Sequence, residues 1–89
     1  MINAFVLITI DDKNIREMAH RLMGVTGVTE VYPVAGDYDF VAVVRVGDNA
    51  TLSRVITEEI VRLPGISSTK TLFALESYSR VDLESVFRP

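Results

Sequence analysis

The sequence predicts an α+β sandwich whose elements follow the order β-α-β-β-α-β. Runs of alternating or continuous apolar residues, typical of strands, are interrupted by two segments in which apolar residues recur every three or four positions. An internal repeat supports this order, because "GVTEVYPV" follows the first helical segment as "GISSTKTL", 38 residues further on, follows the second. Two strand-helix-strand halves of this kind form the split βαβ, or ferredoxin-like, fold: a four-stranded antiparallel sheet with both helices on one face.

The first half of the chain contains a strand, a helix and a second strand. Residues 3–10 are rich in β-branched and aromatic residues, which predicts the first strand. The helix that follows has Asp11 or Asp12 as its expected N-cap and Gly24 as its stop. The second strand is predicted over residues 27–35. The apolar positions of the helix are Ile15, Met18, Ala19, Leu22 and Met23.

The stretch "VAGDYDFVAVVRV" predicts a hairpin and a strand that is apolar on both faces. Gly36-Asp37 is typical of a tight turn, and the third strand is expected over residues 38–46. Alternate residues of a strand point to opposite faces. One face of the third strand therefore carries Phe40, Ala42, Val44 and Val46, and the other carries Val41 and Val43. The first strand divides in the same way, with Ala4, Val6, Ile8 and Ile10 on one face and Phe5 and Leu7 on the other. Because both helices cover one face, we expect the other to be covered by a second copy in an isologous dimer, a dimeric α/β barrel.

The second helix and fourth strand complete the pattern. Asp48 or Asn49 can cap the helix, and Pro64-Gly65 ends it. Its expected buried positions are Leu52, Val55, Ile56, Ile60 and Leu63. A long fourth strand is predicted over residues 66–78. Residues 81–87 form a short apolar tail, which we expect either to dock on a neighbouring subunit or to fold back on its own.

The composition excludes several classes of protein. The net charge is −3 with no long run of one sign, which does not suit a basic nucleic-acid binder. Cysteine is absent, so disulfides, zinc–thiolate sites and cysteine nucleophiles are excluded. The apolar runs are shorter than the ~20 residues that span a bilayer, and "MINAFVLITIDD" has no basic region typical of a signal peptide. We therefore expect one cytoplasmic domain, residues 1–89.

Two motifs give the chain a family resemblance. "VAGDYDFVAVVRV" resembles the Gly-x-Tyr-Asp loop and following strand of the leucine-responsive/asparagine-responsive regulators, the Lrp/AsnC family. "LPGISSTKTLFAL" resembles that family's Pro-Gly-Val/Ile-x-x-Thr-x-Thr stretch and fourth strand. The likeness covers essentially the whole chain and corresponds to the family's C-terminal effector-sensing domain, called RAM. Full-length members also carry an N-terminal helix-turn-helix domain, so we expect a stand-alone member with no direct nucleic-acid binding.

The resemblance implies a ring-like assembly of dimers, an octamer, a decamer or another number, with amino-acid effectors between the dimers. It also implies full-length regulators of the family as possible partners in mixed oligomers. The residues that match the family's effector pocket are Gly36, Asp37, Tyr38, Asp39, Thr69 and Thr71. Their chemistry suits an amino acid. Asp39 can accept from the ammonium, while turn amides near Gly36 and the two threonine hydroxyls can donate to the carboxylate.

Each of these residues also has a purely structural interpretation. Gly36-Asp37 can be an ordinary turn, threonine is common in strands, and Tyr38 can be a packed aromatic residue. Two other functions stay open: a small dimeric enzyme of the monooxygenase type, and a purely structural oligomer. The sequence has one histidine, His20, no tryptophan, and no recognisable nucleophile–base spacing or metal-ligand cluster. We therefore predict no catalytic residue, no metal site and no cofactor.

Overall fold

The computed structural model describes residues 1–11 and 14–80, which form one four-stranded antiparallel sheet and two helical segments. The strands lie in the order β2-β3-β1-β4, so the ferredoxin-like topology predicted from the sequence is confirmed. The elements are β1 (Ile2–Ile10), α1 (Ile15–Met23), β2 (Val28–Pro33), β3 (Phe40–Val46), α2 (Asn49–Arg54, continued by a π-helical segment, Val55–Ile60) and β4 (Ile66–Phe73).

The core lies between the two helices and one face of the sheet. The register pairs Ile8 with Phe40 and Ala4 with Val44, which brings the predicted inward residues of the two central strands side by side. Removing the side chain of Phe40, the largest fully buried residue, would cost roughly 3–5 kcal/mol. The core includes Ala4, Val6, Ile8 and Ile10 of β1, Phe40, Ala42, Val44 and Val46 of β3, and Met18, Leu22, Leu52, Val55 and Ile60 of the helices.

The opposite face of the sheet, here called the open face, has no helix over it in the described residues. It is formed by Phe5, Leu7, Tyr32, Val41, Val43 and Leu72, which pair across neighbouring strands. Phe5, Tyr32 and Leu72 are exposed, whereas Val43 is buried. Residues after β4, among them Ala74 and Tyr78, lie beside Phe5 and Val43. Glu30 and Arg45 border the patch and lie 3.6 Å apart. Both faces of the central strands are therefore apolar, as the sequence predicts.

The first helix begins at a different residue from the one predicted. Asn14, not Asp11 or Asp12, is the N-cap: its side-chain oxygen accepts from the Glu17 N–H at 3.2 Å, and its Nδ2 donates to the Glu17 carboxyl at 3.1 Å. The Asn14 side-chain oxygen thus satisfies one backbone donor of the first helical turn, as N-cap residues do. Gly24 ends the helix as predicted. Of the five apolar positions expected to pack, Met18 and Leu22 are buried, Ala19 is half-buried, and Ile15 and Met23 are exposed.

The second helix is capped by Asp48, one of the two predicted residues, which accepts from the Thr51 N–H at 2.7 Å. Its second half is π-helical, with the Val61 N–H donating to the Ile56 carbonyl at 3.1 Å. The Thr57 hydroxyl donates to the Ser53 carbonyl at 2.7 Å. The predicted buried positions are confirmed for Leu52, Val55 and Ile60, whereas Ile56 and Leu63 are half-buried.

Two predicted boundaries are wrong. The Gly36-Asp37 hairpin is not a two-residue turn, because β2 ends at Pro33 and the connection to β3 comprises residues 34–39. The fourth strand ends at Phe73 rather than at residue 78. Phe73 is its last paired residue, opposite Ala4, and beyond it only the hydrogen bond from the Ala74 N–H to the Asn3 carbonyl, at 3.0 Å, continues the contact between the described residues. The predicted tail, residues 81–87, lies outside the described residues.

Candidate functional site

The loop of residues 34–39 lies at the end of the sheet where β1 finishes. Gly36 and Asp37 are exposed at its tip, and Tyr38 and Asp39 are half-buried. Gly36 has a φ of +130°, which L side chains rarely adopt, and a Cβ built on it would meet no atom within 4 Å. The glycine is therefore required by the backbone of the loop rather than by crowding, and space beside it is open for a ligand.

Asp39 connects this loop to β1 through both its backbone and its side chain. The Asp39 N–H donates to the Ile8 carbonyl at 2.8 Å, and its Oδ2 accepts from the Ile10 N–H at 2.8 Å. The Asp39 carboxyl thus satisfies the backbone N–H of Ile10, the last residue of β1. A carboxylate offers about four acceptor positions, so this contact is compatible with a second role towards an ammonium group.

Thr69 and Thr71 lie on β4, opposite Ile8 and Val6 of β1. Both are half-buried, and they share the face of the sheet that carries the helices. They are not in the same position relative to the helices, however. Only Thr71 borders the groove that runs between α2 and β4.

This groove, here called the α2–β4 groove, has a volume of about 520 Å³. Small-molecule sites commonly measure roughly 300–1,000 Å³, so the volume suits a small ligand. Its floor includes Leu52, which is 1% exposed, whereas Phe73 at its edge is 60% exposed. The lining residues are Asn49, Leu52, Ser53, Ile56, Thr57, Thr71 and Phe73.

Sequence reasoning missed the helical side of the groove. Asn49, Ser53 and Thr57 recur every four residues and are uncharged, whereas Arg54 and Glu58, which directly follow Ser53 and Thr57, are exposed and charged. An uncharged row of this kind on a helix with charged neighbours is a signal that could have marked a contact surface. The spacing places such residues on one side of a helix.

The loop and the threonines are brought to the same sheet but not into one cavity. Phe40 and Thr69 both pair with Ile8, from opposite sides of β1. Asp39 and Thr69 are therefore separated by one strand, or about 10 Å at the usual strand spacing. Within one copy, β1 therefore lies between the loop and the threonines.

Two ionisable side chains near these surfaces have shifted pKa values. The backbone hydrogen bond from Thr51 lowers the pKa of Asp48, which lies next to the first residue of the groove. On the open face, the hydrogen bond between Tyr32 and the Glu30 carboxyl, followed by the charge of Glu30, raises the pKa of Tyr32.

Residues 1–11 and 14–80 contain neither a candidate metal site nor a candidate membrane span. In that part of the chain no three histidine or acidic side chains are grouped so that they could hold a metal ion. No helix there is long and apolar enough to cross a membrane.

Comparison with known proteins shows where this fold and these motifs belong. A crystal structure of TTHA0845 from Thermus thermophilus superposes with a TM-score of 0.82 and 40% identity, covering 90% of this chain and 100% of that chain. The HTH-type transcriptional regulator FL11 of Pyrococcus abyssi is 31% identical over 75 residues, which cover 84% of this chain and 49% of the regulator. The chain thus spans about half the length of this curated relative.

A shorter match is found with the leucine-responsive regulatory protein of Escherichia coli K12, which is 33% identical over 49 residues, 55% of this chain and 30% of that regulator. The family model described as the Lrp/AsnC ligand binding domain matches residues 3–82. The chain therefore belongs to the Lrp/AsnC family and carries that family's ligand-binding domain.

Proposed function

We propose that residues 1–89 form one effector-sensing domain that binds an amino acid between subunits and thereby changes its assembly state. The observation that carries the proposal is the match of the family's ligand-binding domain to residues 3–82, which include every predicted site residue. A ligand that binds one assembly state better than another shifts the population towards that state. The name of the leucine-responsive relative supports an amino acid as the effector.

Asp39 is the proposed acceptor for the effector's ammonium group, and the amides of the loop at Gly36 and Asp37 are proposed donors to its carboxylate. Tyr38 borders the same loop. The hydroxyls of Thr69 and Thr71 are further proposed donors to the carboxylate. Because β1 separates the two sets of residues within one chain, the proposed ligand lies between copies and contacts the loop of one and the threonines of another.

The open face supplies the proposed dimer contact. Phe5, Tyr32 and Leu72 are exposed there beside Leu7 and Val41, and soluble proteins rarely leave a contiguous apolar patch of several hundred Å² uncovered. A second copy of the same face covers it with matching apolar residues. Octamers or decamers of such dimers, and mixed assemblies with full-length regulators in the cytoplasm, are the proposed higher forms.

A binding role is favoured over the monooxygenase-type alternative because the curated relatives matched are transcriptional regulators. His20, the one histidine of the chain, is exposed on α1. It lies on a different element from the loop and the threonines. The proposal therefore assigns no residue a catalytic role and requires no cofactor.

Thermal unfolding of the protein against each of the twenty amino acids at millimolar concentration tests the proposal. A ligand that binds only the folded assembly adds RT ln(1 + [L]/Kd) to its stability, about 2.7 kcal/mol at a hundredfold excess over Kd. We expect one or a few amino acids to raise Tm. That shift should be lost in Asp39→Asn and kept in Glu58→Gln, the same acid-to-amide change at an exposed residue outside the proposed site. No shift with any amino acid would favour a structural oligomer instead.

A further inference from the structure

We propose that the α2–β4 groove receives the side chain of the effector, and that this side chain is uncharged and apolar. The inference rests on the proposed function and narrows it, because it selects among amino acids. It commits to leucine-, methionine- and phenylalanine-like effectors and against aspartate, glutamate, lysine and arginine.

The first argument is the chemistry of the lining. Among the described residues no lining residue is ionisable, and Leu52, Ile56 and Phe73 are its three large apolar members. A charged side chain placed there would lose water without gaining an opposite charge, which is strongly unfavourable. An apolar side chain would instead remove from water the ring of Phe73, which is 60% exposed.

The second argument is the state of the polar lining residues. The Thr57 hydroxyl already donates to the Ser53 carbonyl at 2.7 Å. Its hydroxyl proton is therefore not available to a ligand, and the side chain offers a ligand its methyl group and an acceptor oxygen. This removes one hydrogen-bond donor from the groove.

The third argument is the π-helical segment. π-helical turns are rare and occur frequently at functional sites. Here the segment Val55–Ile60 carries Ile56 and Thr57, two of the lining residues. The departure from α-helical geometry thus falls at the groove rather than elsewhere on the helix.

Thr71 connects the groove to the proposed amino-acid site. It is the one residue that belongs both to the family-matched set and to the groove lining. A ligand whose carboxylate accepts from the Thr71 hydroxyl therefore has its side chain at the mouth of the groove.

The inference is tested by adding a charge inside the groove and measuring amino-acid affinity by titration calorimetry of the whole protein. Ser53→Asp places one carboxylate in the lining, and Ala50→Asp adds the same charge to an exposed residue of α2 outside it. The probes are L-leucine, L-methionine, L-phenylalanine, L-aspartate and L-lysine. We expect the wild type to bind one or more of the apolar three at least tenfold more tightly than L-aspartate or L-lysine.

In Ser53→Asp we expect affinity for the apolar amino acid to fall at least tenfold and affinity for L-lysine to rise at least threefold. Ala50→Asp should stay within twofold of the wild type. Phe73→Ala should weaken apolar binding at least fivefold, and Leu75→Ala, also an exposed apolar residue but outside the groove, should not.

Three results would overturn the inference while leaving the proposed function intact. The first is that the wild type binds a charged amino acid more tightly than an apolar one. The second is that Ser53→Asp and Phe73→Ala bind the apolar amino acid as tightly as the wild type does. The third is that Ser53→Asp changes the particle mass without changing the affinity. The last would mean that a neighbouring subunit, not a ligand, occupies the groove. Failure of every amino acid to bind the wild type would overturn both proposals.

Discussion

The side-chain carboxyl of Asp39 accepts a hydrogen bond from the backbone N–H of Ile10 at 2.8 Å. The two residues are 29 positions apart in the chain, and the contact fixes the loop before β3 to the end of β1. The residue proposed to bind the effector's ammonium group is thus also part of the framework of the fold. Variants at this position must separate the two roles.

Asp39→Ala should destabilise the protein by about 1–2 kcal/mol, because the partly buried Ile10 N–H loses its acceptor. Asp39→Asn should lose less than half as much, since its amide oxygen can still accept from Ile10. Urea unfolding followed by circular dichroism measures both values. The exposed Asp37→Asn variant serves as the control and should stay within about 0.5 kcal/mol of the wild type. Equal stability of Asp39→Ala and the wild type would show that the contact contributes nothing.

Two glycines with positive φ should respond differently to alanine. Gly27 has a φ of +97°, and a Cβ there would lie 2.9 Å from the Val46 Cγ1. Gly27→Ala should therefore cost about 2 kcal/mol or more from strain and overpacking together. Gly36→Ala, with strain but no clash, should cost about 1 kcal/mol.

Gly47→Ala is the control for both glycine variants, because it has open space around it and no left-handed φ. It should change stability by less than about 0.5 kcal/mol. Chemical denaturation of the three variants under one set of conditions gives the ranking. A Gly36→Ala variant as stable as Gly47→Ala would contradict the backbone conformation described for the loop.

The N-cap of α2 should make stability depend on pH in a defined direction. The hydrogen bond from Thr51 lowers the pKa of Asp48 below its ordinary value of 3.8. Ionised Asp48 therefore adds stability that is fully present above about pH 3.8, and that stability is lost as the pH falls through the lower folded-state pKa.

Asp48→Asn is the matched variant, because asparagine caps helices about as well as aspartate but carries no charge. The difference in Tm between wild type and variant should be constant from pH 7 to pH 5 and should shrink towards pH 2.5. Calorimetric scans across this range measure it. A difference that does not change with pH would show that the charge on Asp48 is irrelevant to the cap.

The open face should control dimerisation. Leu72→Asp places a charge within the apolar patch, whereas Val61→Asp places one on a residue of equal exposure at the end of α2, 48% against 46%. We expect the first to shift the protein towards monomers in light scattering at micromolar concentration and the second to leave its dimers intact. A monomeric wild type, or equal masses for the two variants, would contradict the proposed dimer.

The strand faces could be predicted from the sequence because the physical cause is local. Residues two apart share a face, so the alternation in β1 and β3 was sufficient to place Ile8 and Phe40 on the same side, and they pair in the sheet. The end of β4 could not be predicted in this way. It depends on how far the pairing with β1 continues, which involves the partner strand, and the apolar residues beyond Phe73 gave no sign of it.

The loop was only half predictable. Gly36 indicated a special backbone conformation, and the structure has one. The two-residue turn was wrong, however, because the pairing closes at the hydrogen bond from the Val34 N–H to the Asp39 carbonyl, which leaves residues 35–38 as the turn. Asp39 also bonds with Ile8 and Ile10 of β1. A contact between residues so distant in sequence leaves no local pattern. The α2–β4 groove was missed for a related reason, since Phe73 and Ser53 meet only in the folded chain.

Titration calorimetry of the most stabilising amino acid against the wild type, Asp39→Asn and Glu58→Gln tests the central claim most directly. The account predicts saturable binding to the wild type, with about one ligand per subunit. Affinity should fall at least tenfold in Asp39→Asn and stay within twofold in Glu58→Gln, which changes an exposed residue outside the proposed site. Binding that is equally strong in all three proteins would remove Asp39 from the site, and no heat with any amino acid would contradict the assignment of this domain as an amino-acid sensor.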